Sequence, residues 1–310
     1  MRRLMRFGVW SLAVLLVVLT VVNLTVAKPP PMPAADGKYI SLRGKEIHCV
    51  EQPGDGIPVV MIHGLPGTHD DFEPVMPQLR DAHAISIDRP GFGWSKGGWL
   101  PYQEQIDLIH EMLAQLRLSP AILVGHSFGG TLAIGVARRY PQDVAKMILV
   151  APAAGGMRSY TADRLQARYV RFSQLPVVNW IVKHTYGNVA LSTSAHFAVR
   201  HAFEPGSVAP NYEERLRSVA LTPGNIDAYS REVLEYDRTM QWVDENVPGI
   251  QVPSVVIAAR SDKLVPFEHA ERLAQTLSGT ELITVEGSHM IPYTHPDVVA
   301  AEIRAARTRP

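Results

Sequence analysis

The sequence predicts an α/β fold in which a mostly parallel sheet carries an inserted helical cap. Short apolar runs typical of buried strands alternate with helix-compatible runs over residues 38–152 and again over 250–310. This alternation is typical of a parallel sheet that helices cover on both faces. Over residues 153–249 the strand pattern gives way to aromatic and arginine-rich helical segments broken by prolines, and this change predicts the cap.

Each predicted strand is a short run of apolar or β-branched residues bounded by turn residues. The predicted strands are 39–42 and 46–51, joined as a hairpin at Gly44, and then 58–62, 84–87, 121–124, 145–150, 252–259 and 281–285. Helix-compatible runs cover 102–116, 131–139 and 267–276, and Pro296 begins the last helix. Asp70 or Asp71 is expected to cap one more helix, which runs to about Arg80.

The N-terminal segment has the composition of a membrane anchor. Three arginines lie within the first six residues, and the run Phe7–Ala27 has no charge. An uncharged run of about twenty residues can span a bilayer as a helix. We therefore predict that residues 1–27 are an uncleaved transmembrane signal-anchor with the remainder extracytoplasmic. Thr25-Val26-Ala27 also resembles a cleavage site, so a signal peptide and a secreted or periplasmic protein are the alternative. Residues 28–37 are predicted to form a proline-rich linker.

The bulk composition excludes some functions. Lys+Arg and Asp+Glu are both 30, and this balance gives no support to nucleic-acid binding. The single cysteine, Cys49, cannot form an internal disulfide and is expected to fill the core. The histidines show no zinc-type spacing, and no phosphate-binding glycine loop is present, so neither a metal nor a cofactor is predicted.

One stretch joins a predicted strand to a predicted helix through Gly125-His126-Ser127-Phe128-Gly129. The pattern G-x-S-x-G between a strand and a helix is typical of a nucleophile elbow, where the serine hydroxyl projects from a sharp turn. Small neighbours are needed because a side chain at either glycine would crowd that turn. We therefore predict that Ser127 is a nucleophile.

A serine nucleophile needs a base and a group that orients the base. Asp262 follows the strand that ends near Ala259, and His289 follows the next strand, so the order Ser, Asp, His fits the elbow rule. Asp237 and Asp244 are the alternative acids, and His295 is the alternative base. We predict that Ser127, Asp262 and His289 are the catalytic residues.

Acyl transfer also needs donors for the developing oxyanion. The backbone N–H of Phe128, directly after the nucleophile, is one predicted donor. Leu65, in the loop His63-Gly64-Leu65-Pro66-Gly67, is the second, with Gly64 as the alternative. The residues His63, Gly64 and His126 are candidate substrate contacts near these donors.

Two further groups of residues have predicted roles. Six aromatic residues of the cap are predicted to wall an apolar pocket, with Trp180 as the candidate substrate contact: Trp180, Tyr186, Phe197, Phe203, Tyr212 and Trp242. Asp88 and Arg89 are predicted to form a structural ion pair that braces the turn Gly91-Phe92-Gly93.

These motifs together resemble the α/β-hydrolase superfamily over about residues 38–152 and 250–308. The resemblance implies an eight-stranded, mostly parallel sheet and implies Ser127, Asp262 and His289 as nucleophile, acid and base. The segments His63–Gly67 and Asp88–Ser95 look like those of epoxide hydrolases and haloalkane dehalogenases. Those enzymes carry aspartate at the elbow, so a serine there points instead to esterases, lipases, carbon–carbon hydrolases and cofactor-free perhydrolases.

The predicted function is that of a serine hydrolase, carboxylesterase- or lipase-like, that cleaves an ester or similar acyl substrate through an acyl-enzyme. The predicted partners are a small apolar acyl molecule and, through the N-terminal segment, a membrane. Hydrolysis of a carbon–carbon bond or a lactone by the same three residues is the alternative. A catalytically silent, membrane-tethered binding protein is the alternative from another class.

Overall fold

The computed structural model describes residues 2–25, 30–154, 161–173, 175–185 and 187–308. Its centre is an eight-stranded sheet with the strand order β1-β2-β4-β3-β5-β6-β7-β8. The strands are β1 (Lys38–Leu42), β2 (Lys45–Gln52), β3 (Asp55–Ile62), β4 (Ala82–Ile87), β5 (Ala121–His126), β6 (Val144–Val150), β7 (Ser254–Ala259) and β8 (Glu281–Val285). β2 pairs antiparallel with β1 and β4, and the pairs from β4 through β8 are parallel. The predicted fold class is confirmed.

Alternate residues of the central strands enter two separate cores. On β5, Leu123 belongs to one buried cluster, whereas Ile122 and Val124 belong to the other. This follows from the two-residue period of a strand, which sends successive side chains to opposite faces. Both faces are covered by helices, so β5 is buried along its whole length. That burial explains why the central strands are continuous apolar runs.

The helices follow the sequence predictions in most places. They are α1 (Arg2–Thr25), α2 (Tyr102–Gln115), α3 (Phe128–Arg139), α4 (Thr161–Ser173), α5 (Pro176–Thr185), α6 (Gly187–Phe203), α7 (Tyr212–Ala220), α8 (Pro223–Asn246), α9 (Phe267–Thr276), α10 (Ile291–Thr294) and α11 (Pro296–Thr308). The helices α4 to α8 lie between β6 and β7 in the chain, in the segment interpreted as the cap.

The predicted helix from Asp70 to Arg80 is wrong. Two 3₁₀ turns replace it, over His69–Phe72 and Met76–Leu79, and the capping side chain is that of Thr68, which accepts the backbone N–H of Asp70. Two prolines, at positions 74 and 77, account for the difference. A proline inside an α-helix removes a hydrogen bond and collides with the preceding turn.

The N-terminal segment forms the helix α1, which contacts α5 and α6 of the cap. Within the part of the chain that the structure describes, no helix is both long enough and apolar enough to cross a membrane. The signal-anchor and its alternative, signal cleavage, both stay predictions.

The predicted ion pair between Asp88 and Arg89 is also wrong, because each side chain has other partners. The Asp88 carboxylate accepts the backbone N–H groups of His69 (2.7 Å) and Trp94 (2.9 Å), and thereby braces the turn without an ion pair to Arg89. The Arg89 side chain is 1% exposed and pairs through Nη1 with Glu232 Oε2 of α8 at 2.7 Å. Arg89 thus joins the end of β4 to the cap.

The guanidinium of Arg89 also holds two parts of the site in place. Its Nη2 donates to the carbonyl oxygen of Gly64 (2.9 Å), in the loop after β3. Its Cζ lies 4.4 Å from the ring centroid of Phe92 and 4.9 Å from that of Phe128. Burial lowers the pKa of Arg89, and the charge of Glu232 opposes this effect. One buried cation therefore contacts the cap, the loop after β3 and the residue after the predicted nucleophile.

We predict that Glu232→Gln lowers the free energy of unfolding by about 3 kcal/mol, because it leaves the buried Arg89 cation without a counter-charge. Chemical denaturation measures this change. Glu235→Gln is the matched control on the same helix, since the pair of Glu235 with Arg238 is exposed and should contribute less than about 0.5 kcal/mol. Equal losses in the two variants would contradict the role assigned to the buried pair.

Candidate active site

Ser127 occupies a strained turn between β5 and α3. Its backbone has φ 52° and ψ −119°, a combination that residues with a side chain rarely adopt. Three backbone hydrogen bonds hold this geometry: Ser127 N–H donates to the Val150 carbonyl (2.9 Å), and the Ser127 carbonyl accepts from Gly130 (3.0 Å) and Ala153 (3.1 Å). A side chain at Gly129 would overlap the backbone of β3. The sequence therefore forms the predicted elbow.

His289 and Asp262 contact each other directly. The ring Nδ1 of His289 lies 2.7 Å from Asp262 Oδ2, and both side chains are at most 5% exposed. The other carboxylate oxygen, Oδ1, accepts the backbone N–H groups of Leu264 (2.7 Å) and Val265 (2.9 Å). Because a carboxylate accepts, Nδ1 of His289 carries the hydrogen, and Nε2 is left with its lone pair.

The environment of Asp262 favours its charged form. Burial raises the pKa of this carboxyl, but the charge of His289 and the hydrogen bonds from His289, Val265 and Leu264 outweigh burial and lower the pKa. Asp262 is therefore an anion at neutral pH and can stabilise a positive charge on His289. This is the electrostatic arrangement that a histidine base needs.

Ser127 and His289 lie at the same end of the sheet. The neighbour of Ser127, His126, has its Nε2 3.1 Å from the backbone oxygen of His289, and the two rings lie 5.0 Å apart. The loop after β3 reaches the same place, since a Cβ on Gly64 would lie 2.9 Å from Ser127 Cβ. The carboxyl ends of β3, β5 and β8 thus meet at one edge, where open α/β sheets place their ligands.

The two predicted oxyanion donors flank Ser127 from different elements. Phe128 is the first residue of α3, and the first N–H groups of a helix have no acceptor within it. Leu65 belongs to the loop after β3 and packs against the core. The carbonyl of its neighbour Gly64 accepts from Arg89, which fixes this loop beside the elbow. The roles of Leu65 and Phe128 stay predictions.

The structure places His63 inside the loop after β3, and its role as a substrate contact stays a prediction. It is fully buried, its Nδ1 lies 2.9 Å from the Gly64 carbonyl, and its Nε2 accepts the backbone N–H of Arg89 at 2.9 Å. An acceptor at Nε2 requires the neutral ring with its hydrogen on Nδ1. Burial, together with the nearby charge of Arg89, lowers the pKa of His63 to about 4. Its role is to brace the loop.

The aromatic residues of the cap separate into exposed and buried groups. Trp180 on α5 is 63% exposed and Phe197 on α6 is 66% exposed, so neither walls an enclosed pocket here. Phe203 and Tyr212 are buried against each other, with ring centroids 5.1 Å apart. Trp242 packs edge-on against Tyr102 of α2, and Tyr186 lies outside the described residues. A hollow of about 560 Å³ beside the start of α7 contains no predicted site residue.

The alternative acids and base lie elsewhere. Asp237 and Asp244 are on the exposed side of α8. The ring of His295 turns to the hydroxyl of its neighbour Thr294, 3.0 Å away. The hydrogen bond between His289 and Asp262 therefore favours the predicted pair over these alternatives.

Within the described residues, one group of three side chains has the atoms to hold a metal ion: His48, His69 and Asp88, all buried. Asp88 Oδ2 lies 2.8 Å from His48 Nδ1, and Oδ1 lies 3.1 Å from His69 Nδ1. Each oxygen also accepts a backbone N–H, so hydrogen bonds fully satisfy the carboxylate. We interpret the group as a buried hydrogen-bond centre that fixes the loops after β3 and β4.

The sequence analysis gave Asp71 only a possible helix-capping role, shared with Asp70, and no place in the site. It is 2% exposed and lies behind the elbow, with Oδ2 3.6 Å from His126 Nδ1. The hydroxyl of Tyr212 donates to its Oδ1 at 3.1 Å. Asp71 therefore links the elbow to the cap, and no local sequence signal marks that contact.

Comparisons with known proteins agree with this architecture. The family model described as alpha/beta hydrolase fold matches residues 57–296. The chain is 26% identical over 255 residues to a 2-hydroxy-6-oxo-2,4-heptadienoate hydrolase of Pseudomonas putida, covering 79% of this chain and 86% of that protein. It is 25% identical over 260 residues to monoacylglycerol lipase ABHD6 of Rattus norvegicus, covering 79% and 73%.

A solved structure has the same fold. An alpha/beta hydrolase fold protein from Burkholderia ambifaria superimposes with a TM-score of 0.73 at 20% identity, over 89% of this chain and 99% of that one. Since the family model covers well over half of the sequence, the chain belongs to the α/β-hydrolase family. The family assignment made from the sequence motifs is confirmed.

The buried neutral His63 predicts an acid-sensitive fold. Its folded-state pKa, about 4, lies below the ordinary value of 6.5, so the stability that the neutral ring contributes is present above pH 6.5 and is lost as the pH falls towards 4. We expect the free energy of unfolding to fall by about 3 kcal/mol over that interval on account of this residue. Urea denaturation at several pH values measures the slope.

The slope should be shallower in His63→Gln, which cannot be protonated, even if that variant is less stable at neutral pH. His201→Gln is the control, because His201 is about half exposed and should leave the slope unchanged. The same slope in wild type and His63→Gln would contradict the assignment.

Proposed function

We propose that this protein is a serine hydrolase that cleaves a carboxylic ester or a similar acyl substrate through an acyl-enzyme. The observation that carries the proposal is the buried Asp262–His289 hydrogen bond, at the sheet edge where Ser127 projects from its strained turn. Family membership supports hydrolysis as the general reaction.

The proposed reaction begins with attack of Ser127 Oγ on the substrate carbonyl. Nε2 of His289 takes the hydroxyl proton, because Nδ1 is occupied by Asp262. The imidazolium that forms is stabilised by the Asp262 anion, which the backbone N–H groups of Leu264 and Val265 hold in orientation. His289 then donates the proton to the leaving alcohol.

Charge develops on the carbonyl oxygen during this attack. In the proposal, the backbone N–H groups of Leu65 and Phe128 donate to that oxygen, and Arg89 keeps the Leu65 loop in place through the Gly64 carbonyl. Water, activated by the same histidine, attacks the acyl-enzyme and releases the carboxylic acid. The step is balanced: the ester bond breaks, and water supplies one hydrogen and one hydroxyl.

Hydrolysis of a carbon–carbon bond is the second candidate, and one comparison favours it. The relative from Pseudomonas putida is named as a 2-hydroxy-6-oxo-2,4-heptadienoate hydrolase, whereas the rat relative is named as a lipase. Both reactions break the bond between an acyl carbon and the next atom, so the same three residues could catalyse either reaction. A lactone is opened in the same way.

We predict that Ser127→Ala lowers kcat for hydrolysis of a short p-nitrophenyl ester by at least about 10³-fold, because the attacking oxygen is lost. The far-UV circular dichroism spectrum should stay unchanged. Ser278→Ala, at an exposed position, is the matched control and should keep full activity. A fluorophosphonate probe should label the wild type and the control but not Ser127→Ala. Retained hydrolysis in Ser127→Ala would remove this residue from the mechanism.

A substrate panel separates the two candidate reactions. We expect p-nitrophenyl esters of graded acyl length to be hydrolysed with a higher kcat/KM than lactones or a vinylogous 1,5-diketone of the meta-cleavage type. The comparison uses one enzyme preparation, with Ser127→Ala as the blank for each substrate. A higher kcat/KM on the diketone would replace the ester proposal with the carbon–carbon one. Labelling by the fluorophosphonate without turnover of any ester would also reject the ester proposal.

A further inference from the structure

Behind the predicted triad lies a second carboxylate–imidazole pair, Asp71 and His126, which the mechanism above does not use. The two side chains are 2% and 3% exposed. Asp71 belongs to the 3₁₀ turn His69–Phe72, and His126 is the last residue of β5. Their position is notable because His126 directly precedes Ser127, and its ring lies 5.0 Å from that of His289.

The hydrogen-bond partners fix the orientation of the His126 ring. Its Nε2 lies 3.1 Å from the backbone oxygen of His289, and a carbonyl oxygen can only accept, so Nε2 carries a hydrogen and donates it. The other nitrogen, Nδ1, is buried without a hydrogen-bond partner and faces Asp71 Oδ2 at 3.6 Å. An ionised carboxylate against a bare nitrogen lone pair is repulsive. A proton between Nδ1 and Oδ2 turns that repulsion into attraction.

The groups around Asp71 favour its carboxylate as a hydrogen-bond acceptor. Its second oxygen, Oδ1, accepts the hydroxyl of Tyr212 at 3.1 Å, and burial together with the charge of Asp71 raises the pKa of Tyr212 well above its usual value, so this hydroxyl stays protonated. Gly67 makes room for the carboxylate, since a Cβ there would lie 2.5 Å from Asp71 Oδ2. The carboxylate therefore has one donor from the cap and one neighbour in the elbow.

Several other groups act on this pair and bear on its charge. The titratable and charged groups that face it are His63, Asp70, Arg89, Tyr212, Tyr293 and His289. Of these, Arg89 is already paired with Glu232, and Asp70 is paired with Arg215. His63 is neutral at pH 7. Besides Tyr212, which already donates to Oδ1, His126 is the neighbour placed to share a proton with Asp71.

We propose that Asp71 and His126 are positioning residues for the catalytic base: Asp71 holds a proton on His126 Nδ1, and His126 Nε2–H fixes the backbone of His289 beside the nucleophile. The proposal rests on the function proposed above. The Asp262–His289 pair and the Asp71–His126 pair then have different roles. Asp262 orients the ring of His289 from one side, whereas His126 fixes the loop that carries this ring to the strand that carries Ser127.

The proposal also connects the cap to the base. Tyr212 is the first residue of α7, and it donates to Asp71. Tyr293, in the short helix that follows His289, lies edge-on to Tyr212 with ring centroids 4.8 Å apart, and its hydroxyl donates to the Asp70 carbonyl at 3.1 Å. Loss of the Tyr212 hydroxyl should therefore affect the base more weakly than loss of His126, because it acts through two intermediates.

The test uses the full chain with the substitutions His126→Gln, His126→Leu, Asp71→Asn and the double variant His126→Gln/Asp71→Asn. We expect His126→Leu to lower kcat/KM for the ester by about 10²-fold, as a small displacement of a catalytic group does. His126→Gln should lose no more than about tenfold, since its amide N–H can still donate to the His289 carbonyl. His201→Gln is the control for loss of a histidine.

A purely structural role would not move the pH profile, and a positioning pair does. His126→Gln leaves the Asp71 carboxylate without a positive counter-charge near the base, which favours the protonated base. The acidic limb of kcat/KM should then move to higher pH by about one unit. The double variant removes that charge and should return the limb to its wild-type position. An unmoved limb in His126→Gln, or a shift that the double variant retains, would overturn the proposal.

A measurement that needs no turnover separates failure of this inference from failure of the proposed function. In ¹⁵N-histidine NMR spectra at pH 7, the His126 Nδ1 signal should be that of a protonated nitrogen in the wild type and of an unprotonated one in Asp71→Asn. An unprotonated Nδ1 in the wild type would reject the inference whatever the ester assays show. A protonated Nδ1 in an enzyme without hydrolase activity would instead reject the function on which the inference rests.

Discussion

The constraint on which the rest of the site depends is the backbone of Ser127. A residue with a side chain is held at φ 52°, which costs about 1–3 kcal/mol in an ordinary turn. Here the parallel strand β6 accepts the Ser127 N–H, and the glycines on either side allow β5, α3 and the end of β3 to approach one another closely. This hydrogen bond and this close packing offset the strain and hold the Ser127 hydroxyl at the edge of the sheet.

Around that turn, buried carboxylates receive from the protein the hydrogen bonds that water would otherwise donate. Asp262 receives its hydrogen bonds from two backbone amides and one imidazole, and Asp88 receives four from rings and backbone. Each carboxylate is fully satisfied, so its charge is not a cost to the fold but a fixed feature of the site. The loops after β3, β4 and β7 owe their conformations to these acceptors as much as to apolar packing.

Most of the sheet and the residues of the candidate site could be predicted because their signals are local. The strand, turn and helix around Ser127 lie within twenty residues, and Asp262 and His289 each follow a recognisable strand. The spacing of the glycines predicted the turn at Ser127, and the chain order Ser, Asp, His predicted its two partners. The local patterns indicated eight strands, and the family resemblance implied the same number.

The prediction of an Asp88–Arg89 ion pair failed because the partners of these side chains come from segments that are distant in the sequence. Nothing near Arg89 in the sequence indicates Glu232 as its partner, so its neighbour Asp88 was paired with it instead. The burial of His63 and the exposure of Trp180 are also properties of the packed molecule that no local pattern indicates, and the roles of both residues as substrate contacts stay predictions. The replaced helix after Asp70 is different, since Pro74 and Pro77 were visible in the sequence and their effect was underestimated.

The buried cation at position 89 has a mechanical consequence for the cap. Moving α8 away from the sheet would separate Glu232 from a guanidinium that also holds Gly64 and lies on the ring of Phe128. Such a movement would therefore expose a charge and loosen the loop after β3 at the same time. A lid that hinged at α8 would dismantle the site it covers. We therefore expect the passage of a substrate to leave α8 in place, as the part of the cap that the buried pair holds to the sheet.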